Sequence, residues 1–406
     1  MWQKTVDRKE NRKILSQSLK QPFIRAGWRL DETEGRLMKL KGLVIHQGDS
    51  RDTSAYTHRV KHLAECLVKR SIDCDFLYMK ENFLLYKQTT ASFFMPIWAG
   101  TLGKYDFIYT GCEGAGQAMF FCRPFIKGPI IYDMHGDSLA QSALERQIES
   151  AGRITSPSPR VRIVSRMASA CADYLITVCE PHLEALVREG WPKDRVGIVR
   201  NGVDLDLFRQ LPFPERPEFT FGYAGAFQYW QCMDNLIEAF DRIKNKNIRL
   251  LMIGFEEEDR SIKQLFQEKF GFRVQLVDRT DRLSMMTLLK SASVFIIPRT
   301  PHQALLHAFP TKFAEYAAMG RPIMVNEIDE TADFVRKYNC GFVSDPSPEA
   351  MVKTMEEVAN TPLETISEMG NRARQMAEEN FSWDKIGDAY AELVRSVVAR
   401  FRDERS

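Results

Sequence analysis

The sequence lacks a marked net charge, a pattern of paired cysteines and a long apolar run. Its 56 lysines and arginines against 54 aspartates and glutamates give a formal net charge of +2 over 406 residues. No global field draws the chain onto nucleic acid, so we expect no nucleic-acid partner. With 44% hydrophobic residues, the composition is that of a globular protein. We expect two domains, since one core usually organises roughly 100–200 residues.

The eight cysteines are scattered, without a CxxC pair. This spacing argues against a zinc site and a disulfide framework, and we expect reduced thiols. The first residues are unlike a secretory signal, and the longest uncharged apolar run, 91–103, is too short to cross a bilayer. We therefore expect a cytoplasmic protein, soluble or peripheral on the inner face of the membrane.

Charge is unevenly distributed along the chain. Residues 1–41 contain eleven basic and five acidic residues, whereas the rest contains 45 basic and 49 acidic residues. This basic extension is either an amphipathic arm for an anionic membrane surface or a segment that is solvated or packed on the body. A second stretch, residues 83–98, is rich in apolar and aromatic side chains. It indicates either contact with a membrane or acceptor, or ordinary core packing.

Short runs rich in β-branched and aromatic residues alternate with amphipathic helical patterns from Gly42 onward. Six such runs precede a proline-rich break at 211–217, and six follow it. The alternation predicts an α/β protein with two doubly wound, Rossmann-like halves. The predicted boundaries are an N-terminal extension 1–41, a first domain 42–204, a linker 205–218, a second domain 219–380 and a C-terminal helix 381–406, which crosses back towards the first domain.

Polar residues cluster around one strand exit in the second half. Arg299 follows a predicted strand, and Pro310 precedes a helix that begins near Thr311 and Lys312. Because backbone N–H groups at a helix N-terminus and nearby cations bind anions, this pattern predicts a phosphate site. Glu315, one turn further on, is placed to accept hydrogen bonds from sugar hydroxyls. An ordinary crossover helix explains the same spacing, so both interpretations stay open on spacing alone.

Several ordered runs resemble a known family. They are residues 309–316 (FPTKFAEY) with 320–322 (GRP), 200–204 (RNGVD), 223–225 (YAG), 235–240 (NLIEAF), 171–178 (CADYLITV) and 132–137 (YDMHGD). Together they are similar to the retaining glycosyltransferases of GT-B architecture, the group-4 type family also described as glycosyl transferases group 1. The resemblance extends from Gly42 to the C-terminal helix. It implies two Rossmann-like domains that face a deep cleft, and a long C-terminal helix.

The resemblance also implies roles for individual residues. Glu315 matches the glutamate that holds the nucleotide ribose, and the backbone amides of Thr311 and Lys312 match those that meet the donor diphosphate. Gly225 matches the glycine of the loop beside the pyrophosphate, although a lone glycine after a strand is more often a turn. Gly48 lies in the first-domain loop that faces the diphosphate.

His135 of the first domain has two interpretations. His135 matches the residue next to the transferred sugar, which would orient donor and acceptor. Without the family match, a histidine that caps the local turn through a ring hydrogen bond is favoured. Three positions depart from the family pattern. His307 replaces the first glutamate of E-x7-E, which contacts donor sugar hydroxyls, so the resemblance places His307 at the donor sugar. Ala226 and Gln231 replace two phosphate-binding cations. Arg299 with Lys312 could substitute for those cations.

The resemblance predicts transfer of a sugar from a UDP or GDP donor to a glycan or lipid-linked acceptor, as in polysaccharide or glycolipid biosynthesis. No cofactor or metal is expected, because neither Asp73-Cys74-Asp75 nor Asp204-Leu205-Asp206 follows the pattern of a metal site that holds a nucleotide. Two alternatives remain. One is a catalytically silent homologue that binds a glycan or activates a partner, and the other is a dinucleotide-dependent enzyme, for which a GxGxxG motif is missing.

Overall fold

The computed structural model describes residues 39–47, 55–79, 104–214, 218–227 and 229–406. Gly48, the basic extension up to residue 38 and the apolar stretch 83–98 lie outside these ranges, so their roles stay predictions. Residues Leu40–Ser406 form one compact unit. Its first strand begins at Leu40, inside the predicted N-terminal extension.

Within the described residues, twelve strands form two six-stranded sheets. The strands are β1 Leu40–Gln47, β2 Ile72–Met79, β3 Phe107–Thr110, β4 Ile130–Met134, β5 Tyr174–Thr177, β6 Val196–Ile198, β7 Phe219–Ala224, β8 Ile248–Phe255, β9 Val274–Asp278, β10 Val294–Ile297, β11 Ile323–Asn326 and β12 Gly341–Ser344. The orders are β2-β1-β3-β4-β5-β6 and β12-β11-β10-β7-β8-β9, and all neighbours are parallel.

Helices cover both sheets. In the described ranges they are α1 Ala55–Lys69, α2 Glu113–Cys122, α3 Ser138–Glu149, α4 Pro159–Cys171, α5 Glu180–Arg188, α6 Met233–Arg242, α7 Arg260–Phe270, α8 Arg282–Leu289, α9 Gln303–Leu306, α10 Thr311–Ala318, α11 Glu330–Tyr338, α12 Pro348–Asn360, α13 Leu363–Asn380 and α14 Trp383–Asp403. None of the helices in this part of the chain is long and apolar enough to cross a membrane.

Central strands are buried because their sequences are largely apolar on both faces, whereas the edge strand β9 (VQLVD) is partly exposed. β4 (IIYDM) and β10 (VFII) are buried at every position. Such continuous runs are typical of parallel strands between two helix layers, whereas a half-exposed strand would alternate apolar and polar residues. All twelve strands overlap the runs predicted from the sequence. The prediction of two doubly wound α/β halves is therefore confirmed.

The long C-terminal helix predicted from the sequence is also present. The Oγ of Ser382 accepts a hydrogen bond from the backbone N–H of Lys385 at 3.2 Å and caps α14. The buried stripe of α14 includes Tyr390, Val394 and Val398, which join the core between α1 and the first sheet. The helix thus covers the first half although it follows the second half in the chain.

The carboxyl ends of the two sheets meet at the junction of the halves. Asp137, three residues after β4, is hydrogen bonded to His307, which follows β10. Asn201, three residues after β6, donates to the carbonyl of Phe309 at 2.8 Å. Ligands of open α/β sheets bind outside the carboxyl ends of the strands. The predicted site residues that the structure describes are therefore best examined at this junction.

Candidate active site

Gly225 and Lys312 come into contact at the carboxyl end of β7. Gly225 follows β7 directly and has a φ of +141°, a backbone conformation that favours glycine. A Cβ atom at this position would lie 2.7 Å from the Nζ of Lys312. Lys312 is the second residue of α10. The structure thus brings together the glycine loop and the helix N-terminus that the sequence analysis assigned to one anion site.

Tyr223 holds the ammonium group of Lys312. The Nζ donates to the hydroxyl of Tyr223 at 2.9 Å and lies 4.1 Å from the centroid of its ring, a cation–π contact. Burial lowers the pKa of Lys312 to about 7; the carboxylate of Glu315 raises it in part, and the charge of Arg299 lowers it. An anion bound here would favour the charged form, so the lysine is suited to a phosphate.

Tyr316 fixes α10 against β7. Its buried hydroxyl accepts a hydrogen bond from the backbone N–H of Ala224 at 2.7 Å and donates to the carbonyl of the same residue at 3.1 Å. These two bonds set the distance between α10 and the residue before Gly225. The sequence analysis assigned no role to Tyr316, because nothing local shows which strand it contacts.

Thr311 and Glu315 lie on the first turns of α10. Pro310 occupies the N-cap and has no side chain that accepts a hydrogen bond, so it leaves the first N–H groups of the helix uncapped. Glu315 is half-buried beside Lys312. Burial raises the pKa of its carboxyl group, and the charges of Arg282 and Lys312 lower it in part. Thr311, Lys312 and Glu315, three of the predicted donor residues, therefore lie together at the start of α10.

Arg299 is not a free cation in this structure. Its buried guanidinium forms an ion pair with Asp329, which precedes α11. The Oδ1 of Asp329 also accepts from the backbone N–H of Thr331 at 2.9 Å and caps that helix. Arg299 therefore acts first as the counter-ion of Asp329, and its direct contact with a phosphate stays a prediction.

His307 lies in the contact between the halves. Its Nδ1 is 2.9 Å from the Oδ2 of Asp137, and its ring stacks on His182 of α5 with centroids 5.1 Å apart. The residue is only 3% exposed. Burial and the nearby charge of His307 lower the pKa of His182 to about 4. His307 is thus engaged by the first half, and its predicted contact with a donor sugar stays a prediction.

His135 is held on both sides of its ring. Because a carbonyl oxygen only accepts, Nε2 donates to the carbonyl of Gly111, at 2.6 Å. The ring packs edge-on against Tyr56 with centroids 4.5 Å apart. Burial lowers the pKa of His135, and the carboxylate of Asp133 opposes that shift. The ring hydrogen bond fits the interpretation of His135 as a residue that holds its turn, while a contact with sugar stays a prediction.

A buried arginine behind His135 was missed by the sequence analysis. Arg59 of α1 pairs with Asp133, two residues before His135, and reaches Asn201 after β6. These partners lie 74 and 142 residues away along the chain. No local spacing could have indicated the contact, although Asp133 and Asn201 both lie in runs quoted for the family resemblance.

The two DxD triplets have structural partners. Asp75 forms an ion pair with Lys41 at 2.7 Å and accepts from the hydroxyl of Tyr105 at 2.9 Å. Asp204 accepts from the backbone N–H of Asp206 at 2.9 Å and closes a turn. Within the described ranges, no group of three or more histidine, cysteine or acidic residues is arranged to hold a metal ion.

The fold is similar to that of solved structures. Sucrose-phosphate synthase from Thermosynechococcus elongatus superimposes with a TM-score of 0.72 at 18% identity, over 89% of this chain and 100% of that chain. Anabaena Alr3699/HepE in complex with UDP and glucose superimposes with a TM-score of 0.65 at 15% identity, over 88% of this chain and 100% of that chain. This protein has the two-Rossmann GT-B fold of glycosyltransferases.

The sequence comparisons match part of the chain to one family model. Residues 205–376 match the model of the family glycosyl transferases group 1. The D-inositol 3-phosphate glycosyltransferase of Xylanimonas cellulosilytica is 24% identical over 332 residues, which are 73% of this chain and 74% of that protein. Several other curated relatives are matched over only 47% to 64% of their length. The predicted resemblance to group 1 glycosyltransferases is thereby confirmed.

Proposed function

We propose that the chain transfers a sugar from a nucleotide-sugar donor to a glycan or lipid-linked acceptor, with retention of the anomeric configuration. The observation that supports this most directly is the contact of Lys312 with Gly225 at the N-terminus of α10. A cation, uncapped helix N–H groups and a closely approaching backbone are suited to a diphosphate. The Anabaena protein is described in complex with UDP and glucose, which makes UDP the first nucleotide to test, followed by GDP.

The reaction requires positioning more than a protein nucleophile. The bond from the anomeric carbon to the diphosphate oxygen breaks, the acceptor oxygen bonds on the same face, and its proton passes to the leaving diphosphate. Lys312 and the amide of Thr311 would stabilise the charge that develops on the diphosphate. Glu315 would hold the ribose, and His135 would orient donor and acceptor. No metal is assigned a role, since both DxD triplets are used in structural contacts.

The acceptor side rests on composition. The basic extension and the apolar stretch 83–98 would dock the protein on an anionic membrane surface, where a lipid-linked acceptor is extended. Co-sedimentation with anionic vesicles tests this. A variant that lacks residues 1–38 should bind them more weakly than the full chain, and equal binding would remove the extension from the proposal.

A catalytically silent homologue is the competing proposal. It is favoured by His307, which Asp137 engages across the junction, and by Ala226 and Gln231 at positions where the family has cations. A silent homologue that binds no donor would show neither nucleotide-induced stabilisation nor nucleotide release.

Thermal stabilisation and nucleotide release test the function. We expect UDP or GDP to raise the melting temperature, and one member of a panel of UDP-, GDP- and ADP-sugars to be hydrolysed or transferred. Glu315→Ala should weaken nucleotide binding, whereas His135→Ala should lower kcat more than affinity. No stabilisation by UDP, GDP or ADP would contradict donor binding. Binding without turnover of any nucleotide sugar would favour the silent homologue.

A further inference from the structure

Arg59 uses all five N–H groups of its guanidinium. Nε and Nη2 donate to the carboxylate of Asp133 at 2.9 and 3.1 Å, and Nη2 also donates to the carbonyl of Val199 at 2.7 Å. Nη1 donates to the carbonyl of Arg200 at 3.0 Å and to the Oδ1 of Asn201 at 3.1 Å. The side chain is 3% exposed. Lysine has three donors and no planar fork, so it cannot reproduce this pattern.

One end of this network reaches His135. The Oδ2 of Asp133 accepts from Arg59 and from the hydroxyl of Tyr109, and it lies 3.6 Å from the Nδ1 of His135. That Nδ1 is buried without a hydrogen-bond partner. A shift of Asp133 would therefore move the end of β4 and change the charge that His135 faces.

The other end reaches the second half. Asn201 accepts from Arg59 through Oδ1 and donates through Nδ2 to the carbonyl of Phe309 at 2.8 Å. Phe309 is two residues before Thr311, where α10 begins. The side-chain amide of Asn201 thus bonds to both halves: its oxygen accepts from Arg59 of the first half, and its nitrogen donates to Phe309 of the second half.

We propose that Arg59 is a positioning residue, which acts through Asn201 to set His135 relative to the N-terminus of α10. This inference rests on the proposed transferase function and adds a residue that does not touch substrate. Sugar transfer needs the acceptor oxygen held close to the anomeric carbon on the face that the diphosphate leaves, and a misplacement of about 1 Å costs roughly a hundredfold in rate.

Two substitutions test the link, and a third serves as a control. Asn201→Asp keeps an oxygen for Arg59 but removes the donor to Phe309, so it breaks only the bond to the segment before α10. Arg59→Lys breaks the whole network. Arg321→Lys is the matched control, because Arg321 is equally buried and donates to the carbonyls of Ala292 and Leu211 at the amino end of β11, away from the site.

We expect Asn201→Asp to lower kcat by about tenfold and Arg59→Lys to lower it further, while the Kd for UDP, measured by calorimetry, stays within twofold. The double variant should be no slower than Arg59→Lys alone, because both substitutions break one connection. Arg321→Lys should lower the melting temperature and leave kcat within twofold. A kcat within twofold of the parent chain for Asn201→Asp and Arg59→Lys would overturn the proposal, as would a parallel fall of kcat and UDP affinity.

Hydrogen exchange of residues 309–318 in the full chain separates this inference from the proposed function. We expect faster exchange in Asn201→Asp and Arg59→Lys than in the parent chain or Arg321→Lys. If the parent chain binds no nucleotide, the proposed function fails. In that case hydrogen exchange alone tests whether Arg59 and Asn201 position the start of α10. Faster exchange of residues 309–318 in the two variants would support the proposal, and unchanged exchange would overturn it.

Discussion

The two sides of the junction are built in different ways. On the second half, Thr311, Lys312 and Glu315 lie within five residues of one helix, and Gly225 joins them after β7. On the first half, His135 is supported by Arg59, whose partners lie 74 to 142 residues along the chain. A helix N-terminus presents its N–H groups through local geometry, whereas a buried polar network requires tertiary packing.

The ion pairs of two residues at the start of α11 also differ in whether their partner lies in the same half or in the other half. Asp329 and Glu330 are consecutive, yet Asp329 pairs with Arg299 of the second half and Glu330 pairs with Arg200 at the end of the first half. Of these two neighbouring carboxylates, one forms an ion pair within its own half and the other forms an ion pair across the junction. Breaking the second-half side should affect nucleotide binding, and breaking the Asp137–His307 contact between the halves should affect stability.

Loss of the Lys312 ammonium should have the largest effect on the second-half side. We expect Lys312→Met to weaken UDP binding by about tenfold to a hundredfold, because a hydrogen bond to a charged group contributes roughly 1.5–3 kcal/mol. Calorimetry with UDP measures this. Lys290→Met, on an exposed lysine after α8, is the control and should bind UDP like the parent chain. Equal affinity of both variants would place the diphosphate elsewhere.

The pKa of Lys312, about 7, predicts a pH dependence. A bound diphosphate favours the ammonium form, so binding takes up a proton above pH 7, and UDP affinity should fall as pH rises from 7.5 to 8.5, by up to about tenfold. Between pH 7 and 10.5 the unfolded chain binds more protons at this residue, so its contribution to stability rises with pH in that window. Lys312→Met should remove both dependences, and their persistence would assign them to another group.

A smaller effect is expected from Gly225→Ala. At a φ of +141° alanine is strained by roughly 1–3 kcal/mol, and its Cβ would also meet Lys312. Gly190 has a φ of +105°, and no heavy atom lies within 4 Å of the place that a Cβ would take there, so Gly190→Ala imposes strain alone. Both variants should have a lower melting temperature than the parent chain, and Gly225→Ala should also bind UDP several-fold more weakly. Unchanged UDP binding in Gly225→Ala would show that the loop at Gly225 does not contact the diphosphate.

The smallest effect is expected at the contact between the halves. Burial raises the pKa of Asp137, but hydrogen bonds from His307 and the N–H of Ala140 lower it below its usual range overall. Asp137→Asn keeps the cap of α3 and loses the charge opposite His307, so we expect a loss of about 1–2 kcal/mol at neutral pH and unchanged UDP affinity.

Denaturation at neutral and acidic pH measures the effect of Asp137→Asn. Its difference from the parent chain should shrink as pH falls through the folded pKa of Asp137, where the carboxylate gains a proton and this stabilisation is lost. Asp241→Asn, in an exposed pair with Lys269, is the control and should cost less than about 1 kcal/mol. A constant difference across the pH range would contradict an ionised Asp137 at the contact.

Most residues of the candidate donor site could be predicted from the sequence. The contacts that hold those residues in place could not. The residues of α10 follow from a strand exit, a proline and a helix pattern, which are local signals. The ion pair of Arg299 with Asp329 spans 30 residues, so no local pattern could show that this predicted phosphate ligand also has a structural partner. His307 likewise required the structure, because its partner Asp137 lies 170 residues away in the other half.

The sequence by itself determined the two α/β halves, their twelve strands and the C-terminal helix, and it predicted an anion site on α10. Periodicity, caps and breaks act over a few residues, so the chain displays them directly. Only the tertiary structure decided that Arg59 links Asp133 to Asn201, and that His307 contacts Asp137 across the junction. Those contacts join segments that are far apart in the chain, and one buried side chain can satisfy partners from distant segments only in the packed fold.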